Sequence, residues 1–505
     1  MTSEPNNDNP VGAVPDRDGP HGRLPVATVP AVGGTTPDDG GTVRPTLDDP
    51  FVASLSAVLG GPAGAHVGGA PRDPAARRRW WAPVQVLVLL TAVVFALGML
   101  TKAPCAVDDW QDDTVRYTHG CYSDMPYLYS WRGLSDLAWP YSQDPAVRAE
   151  FEVMEYPAGI SYWAWATGYV TWLVSGAPDV DDPERDLVAE STTYVAVNAV
   201  GIAVIAMLTT WLLAGVHRRR PWDAAGWALA PTMALTALVN WDLLAVVTVA
   251  GAAWAWSRGH PRLTGVMIGV GTAIKLYPLL LLGAVLVLCL RHWRWRTFLL
   301  TLASAVVSWI LVNAPAFLTG PAEWKHFFTF NSERGADLGS IWLVLRDWRW
   351  PDLSVETVNA ASWVFLLLWC LGVLLVGLRA PVTPRFAQLA FLVVAGFLIV
   401  NKVYSPQYVL WLLPLAVLAH PRWRDLVLWQ LGELVYLVAV WWYLGGLLAP
   451  TSGGAWLYWL AIGVRIAAQL WFVAVVVRAV LDPDEDVVGE ERGGLHGRPE
   501  VGQPA

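Results

Sequence analysis

Charged residues are scarce in this 505-residue chain, at 15% of the total, whereas apolar residues make up 55%. Soluble domains average about 25% charged residues, so this composition excludes an ordinary soluble protein. The alternation of apolar and polar residues typical of membrane barrels is also missing. The apolar residues instead form runs long enough for helices that cross a bilayer. We therefore predict an all-α polytopic membrane protein with about 12 transmembrane helices and additional re-entrant or juxtamembrane helices.

Several chemical signatures are missing as well. The sequence has no Gly-rich phosphate loop, no dinucleotide fingerprint and no His/Cys metal spacing. These absences argue against an ATP-driven pump and a nucleotide-sugar enzyme, and we expect no cofactor and no nucleic-acid partner. The adjacent pairs Asp108–Asp109 and Asp112–Asp113 could hold a divalent cation, but pairs in a solvated loop are weak evidence for a metal site.

Both ends of the chain are polar and rich in turn-forming residues. We predict disordered cytoplasmic tails at 1–78 and 482–505, on either side of a transmembrane domain at 79–481. We expect no signal peptide, because the first apolar run is long enough to span a membrane.

Basic clusters orient the predicted helices, because such clusters favour the cytoplasmic side. Arg77–Arg79 precede the first apolar run and place the N-terminus on the cytoplasmic side of the plasma membrane. The C-terminus is predicted on the same side. Residues 101–155 and 320–360 then form two large outer loops. If every basic cluster faces the cytoplasm, an even number of membrane crossings must separate each pair of clusters. This count fails before Arg218–Arg220 unless residues 156–175 are re-entrant, and we favour that interpretation over an exceptional outward position of the arginine cluster.

Polar residues interrupt the apolar runs at the predicted outer face, where ionisable groups are costly and often functional. Lys275 precedes a helix-breaking proline and could bind a phosphate, or it could snorkel to the interface. Asp242 follows Asn240 and could serve the site or cap the next helix. Lys402 and Gln407 lie in a second polar interruption, which is either a binding site or a plain turn.

The 320–360 loop also has two interpretations. His326 and Arg334 could reach a phosphate or a sugar, or the segment could be an amphipathic helix on the membrane surface. Further along the chain, we predict that Glu433 and Arg465 form a buried pair between the last two helices.

The stretch CYSDMPYLY, residues 121–129, places one carboxylate among aromatic rings, including Tyr127. A partly desolvated carboxylate can act as a general base for a sugar hydroxyl, and Asp124 is a candidate for that role. Asp108, Asp109 and Glu155 remain alternatives. If this loop faces an oxidising exterior, Cys105 and Cys121 can form a disulfide.

Five stretches in order carry a family resemblance. They are CYSDMPYLY, MEYP at 154–157, NWDLLAV at 240–246, GVGTAIKLYPLLLL at 269–282 and NKVYSPQYVLWLLP at 401–414. With them the chain resembles glycosyltransferase family 87, a group of actinobacterial membrane proteins of GT-C fold. That group is similar to polyprenol-phosphate-mannose-dependent mannosyltransferases.

The resemblance implies inverting transfer of a sugar, mannose first, from a polyprenyl-phosphate donor to an envelope glycolipid or glycan on the outer face. It implies that Asp124 is the base and that Lys275 and Lys402 face the donor phosphate. Membrane lipid is a further expected partner. The first-loop motif departs from a plain Asp-x-Asp, which leaves metal use and the choice of base open. The expected substrate-binding set is completed by Asp242, Asn240, Tyr127, Glu155, Tyr156, His326, Arg334 and Gln407.

Two alternative functions remain at this point. A transporter or flippase of lipid-linked envelope precursors would also need a lipid groove and buried cations, although such folds often carry internal repeats and none is evident. A non-catalytic envelope assembly protein would tolerate changes at the lysine and aspartate positions.

Overall fold

The computed structural model describes residue 43, residues 49–58 and residues 83–489. Within these ranges the chain forms helices, turns and irregular segments and no strand. Most of the two predicted disordered tails, and the cluster Arg77–Arg79, lie outside the described residues. In chain order the α-helices are α1 (Pro50–Val58), α2 (Pro83–Leu100), α3 (Ala103–Val107), α4 (Asp113–Thr118), α5 (Met125–Trp131), α6 (Pro145–Glu150), α7 (Ala158–Val174), α8 (Leu187–Val216), α9 (Ala225–Ala228), α10 (Pro231–Thr236), α11 (Leu243–Ser257), α12 (Pro261–Ile274), α13 (Leu281–Arg291), α14 (Trp295–Thr319), α15 (Pro321–Glu333), α16 (Ile341–Trp348), α17 (Val355–Arg379), α18 (Phe386–Val400), α19 (Val409–Ala419), α20 (Trp423–Leu444) and α21 (Ala455–Leu481).

Six of the described helices are long and apolar enough to cross a membrane. They are α2, α8, α14, α17, α20 and α21, with 18 to 30 residues each. At about 1.5 Å per residue, even the shortest nearly matches a hydrocarbon core of about 30 Å. The all-helical membrane class is thereby confirmed, while the count of 12 crossings and the GT-C fold stay predictions.

A second set of apolar helices is shorter and more deeply buried. It consists of α11, α12, α13, α18 and α19, with 11 to 15 residues each. Every residue of α19 is buried, so this helix lies inside the bundle. Such helices are only about 17–23 Å long, which is shorter than the hydrocarbon core of a membrane.

These short helices meet at one polar level. Helix α11 begins after Asp242, α12 ends before Lys275, and a 3₁₀ turn at 406–408 precedes α19. The three ends are in contact: Lys275 reaches Asp242, and the ring of Tyr277 stacks on Trp411 with centroids 4.4 Å apart. The polar interruptions of the sequence thus gather at one level of the bundle.

Two glycines let α12, which leads to Lys275, pack closely against α14. A Cβ on Gly265 would lie 2.1 Å from the carbonyl oxygen of Thr301, and one on Gly269 would lie 2.1 Å from that of Ala305. The two glycines are four residues apart on α12, so both face α14 and let the two backbones touch. This contact holds the C-terminal end of α12, and with it Lys275, against a long helix.

Helix α7 leads the chain back toward the side of the bundle on which the 101–155 segment lies. It runs antiparallel to α8, because its Ala164 accepts a hydrogen bond from Tyr194 while the earlier Trp163 donates to the later Asn198. Beyond α7, Arg185 pairs with Asp136 of the 101–155 segment at 3.0 Å. The segments 101–155 and 175–186 therefore lie on one side of the bundle, as the partial or re-entrant interpretation of 156–175 requires.

Parts of the predicted disordered tails have defined structure. Residues 50–58 form α1, and Asp49 beside it accepts a hydrogen bond from the backbone N–H of Trp423 at 3.2 Å. At the other end, Asp486 forms a buried ion pair with Arg385 at 2.7 Å. Local contacts with the helical bundle outweigh the disorder-promoting composition at these positions.

Candidate active site

Tyr156 stands at the centre of the candidate site. Its hydroxyl donates a hydrogen bond of 3.0 Å to Oδ2 of Asp124. The face of its ring lies 5.0 Å from Nζ of Lys275, within the range of a cation–π contact. The edge of Trp241 packs against the same ring, with centroids 5.8 Å apart. One aromatic side chain therefore joins the predicted base to the predicted phosphate-binding cation.

Asp124 is held in place by its backbone, and the residue as a whole is half-buried. Its N–H donates to the carbonyl of Val239 at 2.8 Å, and α5 begins immediately after it. Burial raises the pKa of Asp124, against hydrogen bonds from Tyr122 and Tyr156, and nearby Glu155 raises this pKa further. A half-buried carboxylate with a raised pKa is a stronger proton acceptor, which suits a general base.

Lys102 also approaches Asp124, and the sequence argument missed it. Its ammonium group is buried and donates to the carbonyl of Tyr122 at 2.7 Å. Burial lowers the pKa of Lys102 to about 7, although the charge of Asp124 opposes this shift. The residue follows the first apolar run, where a lysine ordinarily signals only a helix end at the interface. Through this hydrogen bond Lys102 positions the backbone two residues before Asp124.

Lys275 and Asp242 form a buried ion pair. Nζ lies 2.9 Å from Oδ1, and both side chains are almost fully buried, so Lys275 does not snorkel to the surface. Asp242 makes no side-chain cap to α11, which removes the capping interpretation, and Asn240 accepts a hydrogen bond from its backbone N–H. A buried ion pair is electrically neutral as a whole and can respond strongly to an arriving charge.

Aromatic rings complete the surroundings of Lys275. The rings of Tyr408 and Trp411 lie 5.7 and 5.8 Å from Nζ and stack on each other at 3.9 Å. Tyr408 belongs to the polar interruption that the sequence shows around Lys402, whereas Trp411 was not singled out, because aromatic residues near helix ends are common in membrane proteins. Gln407, next to them, is buried, and its Oε1 accepts no hydrogen bond. This oxygen is enclosed by the protein without a hydrogen-bond partner among the described residues.

Lys402 takes a different position from Lys275. Its Nζ donates to the carbonyls of Asn331 and Ser332 at 2.7 and 3.3 Å, near the C-terminal end of α15. A cation is favourable at that end of a helix because the carbonyl groups there lack intrahelical partners. In this arrangement Lys402 holds the 320–360 segment against the site. A direct contact with a donor phosphate stays a prediction.

Arg334 lies at the end of α15 and is half-buried. It forms an ion pair of 2.5 Å with Asp337. Against the lowering effect of burial, this pair raises the pKa of Arg334, with smaller contributions from Tyr408 and Tyr156. His326, on the same helix, lies in a cleft lined also by Glu155. Helix α15 thus directs a guanidinium and an imidazole toward the region around Asp124 and Lys275.

The middle of the chain matches a known family. Residues 185–401 match the model of glycosyltransferase family 87. The matched range contains Asp242, Lys275 and Arg334, and it excludes Asp124. No curated protein matches the sequence. Together with the helices long enough to cross a membrane, the match supports a membrane glycosyltransferase.

Residues outside the family 87 match shape the segment that carries Asp124. A disulfide joins Cys105 to Cys121, three residues before Asp124. Tyr127 stacks on Tyr122 with centroids 5.9 Å apart, and its hydroxyl donates to the carbonyl of Trp110 at 3.0 Å. Tyr127 therefore packs the 101–155 segment internally and does not reach Lys275. These contacts brace the turn on which the carboxylate is presented.

The pair predicted between the last two helices is confirmed. Nε of Arg465 lies 2.8 Å from Oε2 of Glu433, and both side chains are buried. Arg465 also donates to the carbonyls of Tyr404 and Ser405. The pair therefore holds the segment that leads to Gln407, and its role in the site is structural.

The acidic pairs of the 101–155 segment shape local backbone. Oδ2 of Asp108 accepts from the backbone N–H of Asp112 at 2.8 Å, and Asp112 caps α4 through the N–H groups of Thr114 and Val115. Within residues 43, 49–58 and 83–489, no group of three or more His, Cys, Asp or Glu side chains is arranged to hold a metal ion.

Proposed function

We propose that this chain is an inverting glycosyltransferase. In this proposal it moves a sugar, mannose first among the candidates, from a polyprenyl-phosphate donor to a glycolipid or glycan of the envelope, at the outer face of the plasma membrane. The observation that carries the proposal is the joining of Asp124 and Lys275 through the single side chain of Tyr156. A base at the hydroxyl of this tyrosine and a cation over the face of its ring suit a reaction in which a hydroxyl attacks and a phosphate leaves.

The proposed reaction has one displacement step. Asp124 takes the proton of the acceptor hydroxyl, and the hydroxyl oxygen forms a bond to the anomeric carbon of the sugar. The bond from that carbon to the phosphate oxygen breaks on the opposite face, and its electron pair stays on the polyprenyl phosphate. Lys275 stabilises the charge that develops there, because fixed cations are most effective where water is excluded.

The ion pair with Asp242 is compatible with this role. A lysine ammonium has three N–H donors, and only part of this capacity is used by Oδ1 of Asp242. Arg334 supplies a second positive charge near Tyr408. The two cations could share a phosphate that enters between α15 and the polar level of the short helices.

Apolar side chains beside Lys275 are compatible with a lipid-linked donor. They come from α7, α12, α14 and α15 and surround a crevice of only about 10 Å³, so a lipid chain would have to lie along this wall and not inside it; Leu276, the residue directly after Lys275, belongs to the wall. A polyprenyl chain is purely apolar, so a wall of aromatic and aliphatic side chains suits it. The residues that line the crevice are Pro157, Ala158, Thr272, Ala273, Leu276, Trp309, Asn313, Trp324, Phe327 and Phe328.

The test is transfer of labelled mannose from polyprenyl-phosphate-mannose by the purified full-length protein. Asp124→Asn should lower the rate by about 10²-fold or more, the usual contribution of a general base. Glu150→Gln is the matched control, because Glu150 is an exposed carboxylate of the same segment. Undiminished transfer by Asp124→Asn would remove this residue as the base. Transfer from no lipid-phosphate sugar at all would favour the transporter.

A further inference from the structure

A cleft of about 500 Å³ separates the 101–155 segment from α15. Its volume falls within the range of small-molecule sites. The lining residues come from α15 and from the chain between the end of α5 and Glu155. They are Arg132, Arg148, Phe151, Glu152, Val153, Glu155, His326 and Phe330.

Part of the polar lining is already satisfied. Arg132 is held between two carboxylates, with Nη1 2.5 Å from Glu152 and Nε 3.0 Å from Glu155. The side chain of Glu152 is nevertheless 80% exposed, so the lone pairs that Arg132 does not use can accept hydrogen bonds. This wall of the cleft therefore offers carboxylate oxygens of Glu152 as hydrogen-bond acceptors.

Arg148 supplies the complementary donors. Its Nε and Nη1 are buried and have no hydrogen-bond partner. Buried N–H groups of this kind are rare in native proteins and ask for a partner. Glu323 attracts Arg148 electrostatically but does not form an ion pair with it. Because no ion pair or hydrogen bond with the described residues holds the Arg148 guanidinium, it can turn toward a ligand that enters the cleft.

The charges and rings of the cleft identify the class of ligand. Two arginines stand against two glutamates, so the wall favours a neutral ligand over a phosphate or an ammonium group. Phe151 and Phe330 add flat apolar surfaces, on which the C–H face of a sugar ring can pack. Separated donors, acceptors and rings fit a neutral carbohydrate with several hydroxyl groups.

The cleft also lies at the right place. Glu155, one of its lining residues, directly precedes Tyr156, whose hydroxyl contacts Asp124. The apolar crevice beside Lys275 lies on the other side of this segment, at Pro157 and Ala158. We propose that the cleft between α15 and residues 132–155 is the acceptor subsite and binds a neutral oligosaccharide with one hydroxyl directed at Asp124. Its role as an acceptor subsite rests on the proposed function, whereas its binding of sugar does not.

Binding is tested first, with saturation-transfer NMR on the purified full-length protein and three neutral probes: mannobiose, arabinobiose and maltose. Wild type should bind at least one of them. Arg148→Met and Phe330→Ala should each weaken that binding, the former by about tenfold, as expected for the loss of a hydrogen bond to a charged group. Lys325→Met, an exposed change on the same helix, should bind as wild type does. Binding of no probe, or equal binding by all variants, would overturn the subsite.

Transfer is tested second, from polyprenyl-phosphate-mannose to the probe that binds. Arg148→Met should raise KM for the disaccharide about tenfold and leave KM for the lipid donor unchanged. An equal rise in both KM values would show that the cleft does not serve the acceptor. If wild type binds the disaccharide yet transfers no sugar to it, the proposed function fails while the carbohydrate site stands.

Discussion

The hydroxyl of Tyr156 offers the sharpest test of how Asp124 is tuned. Tyr156→Phe removes the hydrogen bond of 3.0 Å to Oδ2 and keeps the ring that faces Lys275. This hydrogen bond lowers the pKa of Asp124, against the raising effect of burial. Its loss therefore raises that pKa further. A base must be ionised to act, so a higher pKa reduces the active fraction most at low pH and not at high pH.

The magnitude follows from the type of bond. A hydrogen bond to a charged group contributes about 1.5–3 kcal/mol, and 1.4 kcal/mol corresponds to a factor of ten. At pH values below the pKa of Asp124, the variant should therefore lose about tenfold or more in kcat/KM. At high pH, where Asp124 is ionised in both proteins, the two rates should converge.

The assay is the pH profile of transfer from polyprenyl-phosphate-mannose, measured as kcat/KM for wild type and Tyr156→Phe. Tyr169→Phe is the control, because Tyr169 is an exposed tyrosine toward the other end of α7. The acid limb should move to higher pH in Tyr156→Phe alone. An unmoved acid limb, or a loss of equal size at every pH, would refute the proposed link between this hydroxyl and the base.

Three further predictions concern the donor, the disulfide and the topology. Lys275→Met should lower kcat/KM by about 10²-fold or more, because it removes a cation from the leaving phosphate, and the loss should remain at every pH; a loss confined to low pH would contradict this role. Cys121→Ser opens a loop of 16 residues and should destabilise the 101–155 segment by about 3 kcal/mol, measured as faster hydrogen exchange around Asp124, with Cys370→Ser as control; unchanged exchange would show that the disulfide does not brace this segment. A cysteine placed at the exposed Asp181 should react with a membrane-impermeant reagent from the same side as one at Glu150, and labelling from opposite sides would exclude a partial or re-entrant 156–175.

The polar level of the bundle could be predicted from the sequence, because charged residues within apolar runs are energetically costly. Lys275 and Asp242 each interrupt an apolar run, and a charge in such a place needs a partner or a function. The pattern could not show that they are partners of each other, because that contact depends on how α11 and α12 pack. It also could not separate Lys402 from Lys275, since the contact of Lys402 with the end of α15 arises only in the folded chain.

The surroundings of Asp124 were harder to foresee than Asp124 itself. Its aromatic neighbours are adjacent in sequence, whereas Lys102 and Tyr156 come from the two ends of the 101–155 segment. Arg148 resembled any other loop arginine, and only its missing hydrogen-bond partners in the fold draw attention to it. Helix α1 was missed for a related reason, because a tail-wide composition hides one short ordered stretch.

The short buried helices have a consequence for the membrane that surrounds the protein. Helices of 11 to 15 residues are shorter than a hydrocarbon core of about 30 Å, so in the proposed orientation Lys275 and Asp242 would lie deeper than the ends of the long helices. A lipid that brings a phosphate to this level must sink its headgroup, or the bilayer must thin around the protein. Bilayer thickness then becomes a control on activity, and lipids with shorter acyl chains should admit substrate more readily than lipids with longer ones.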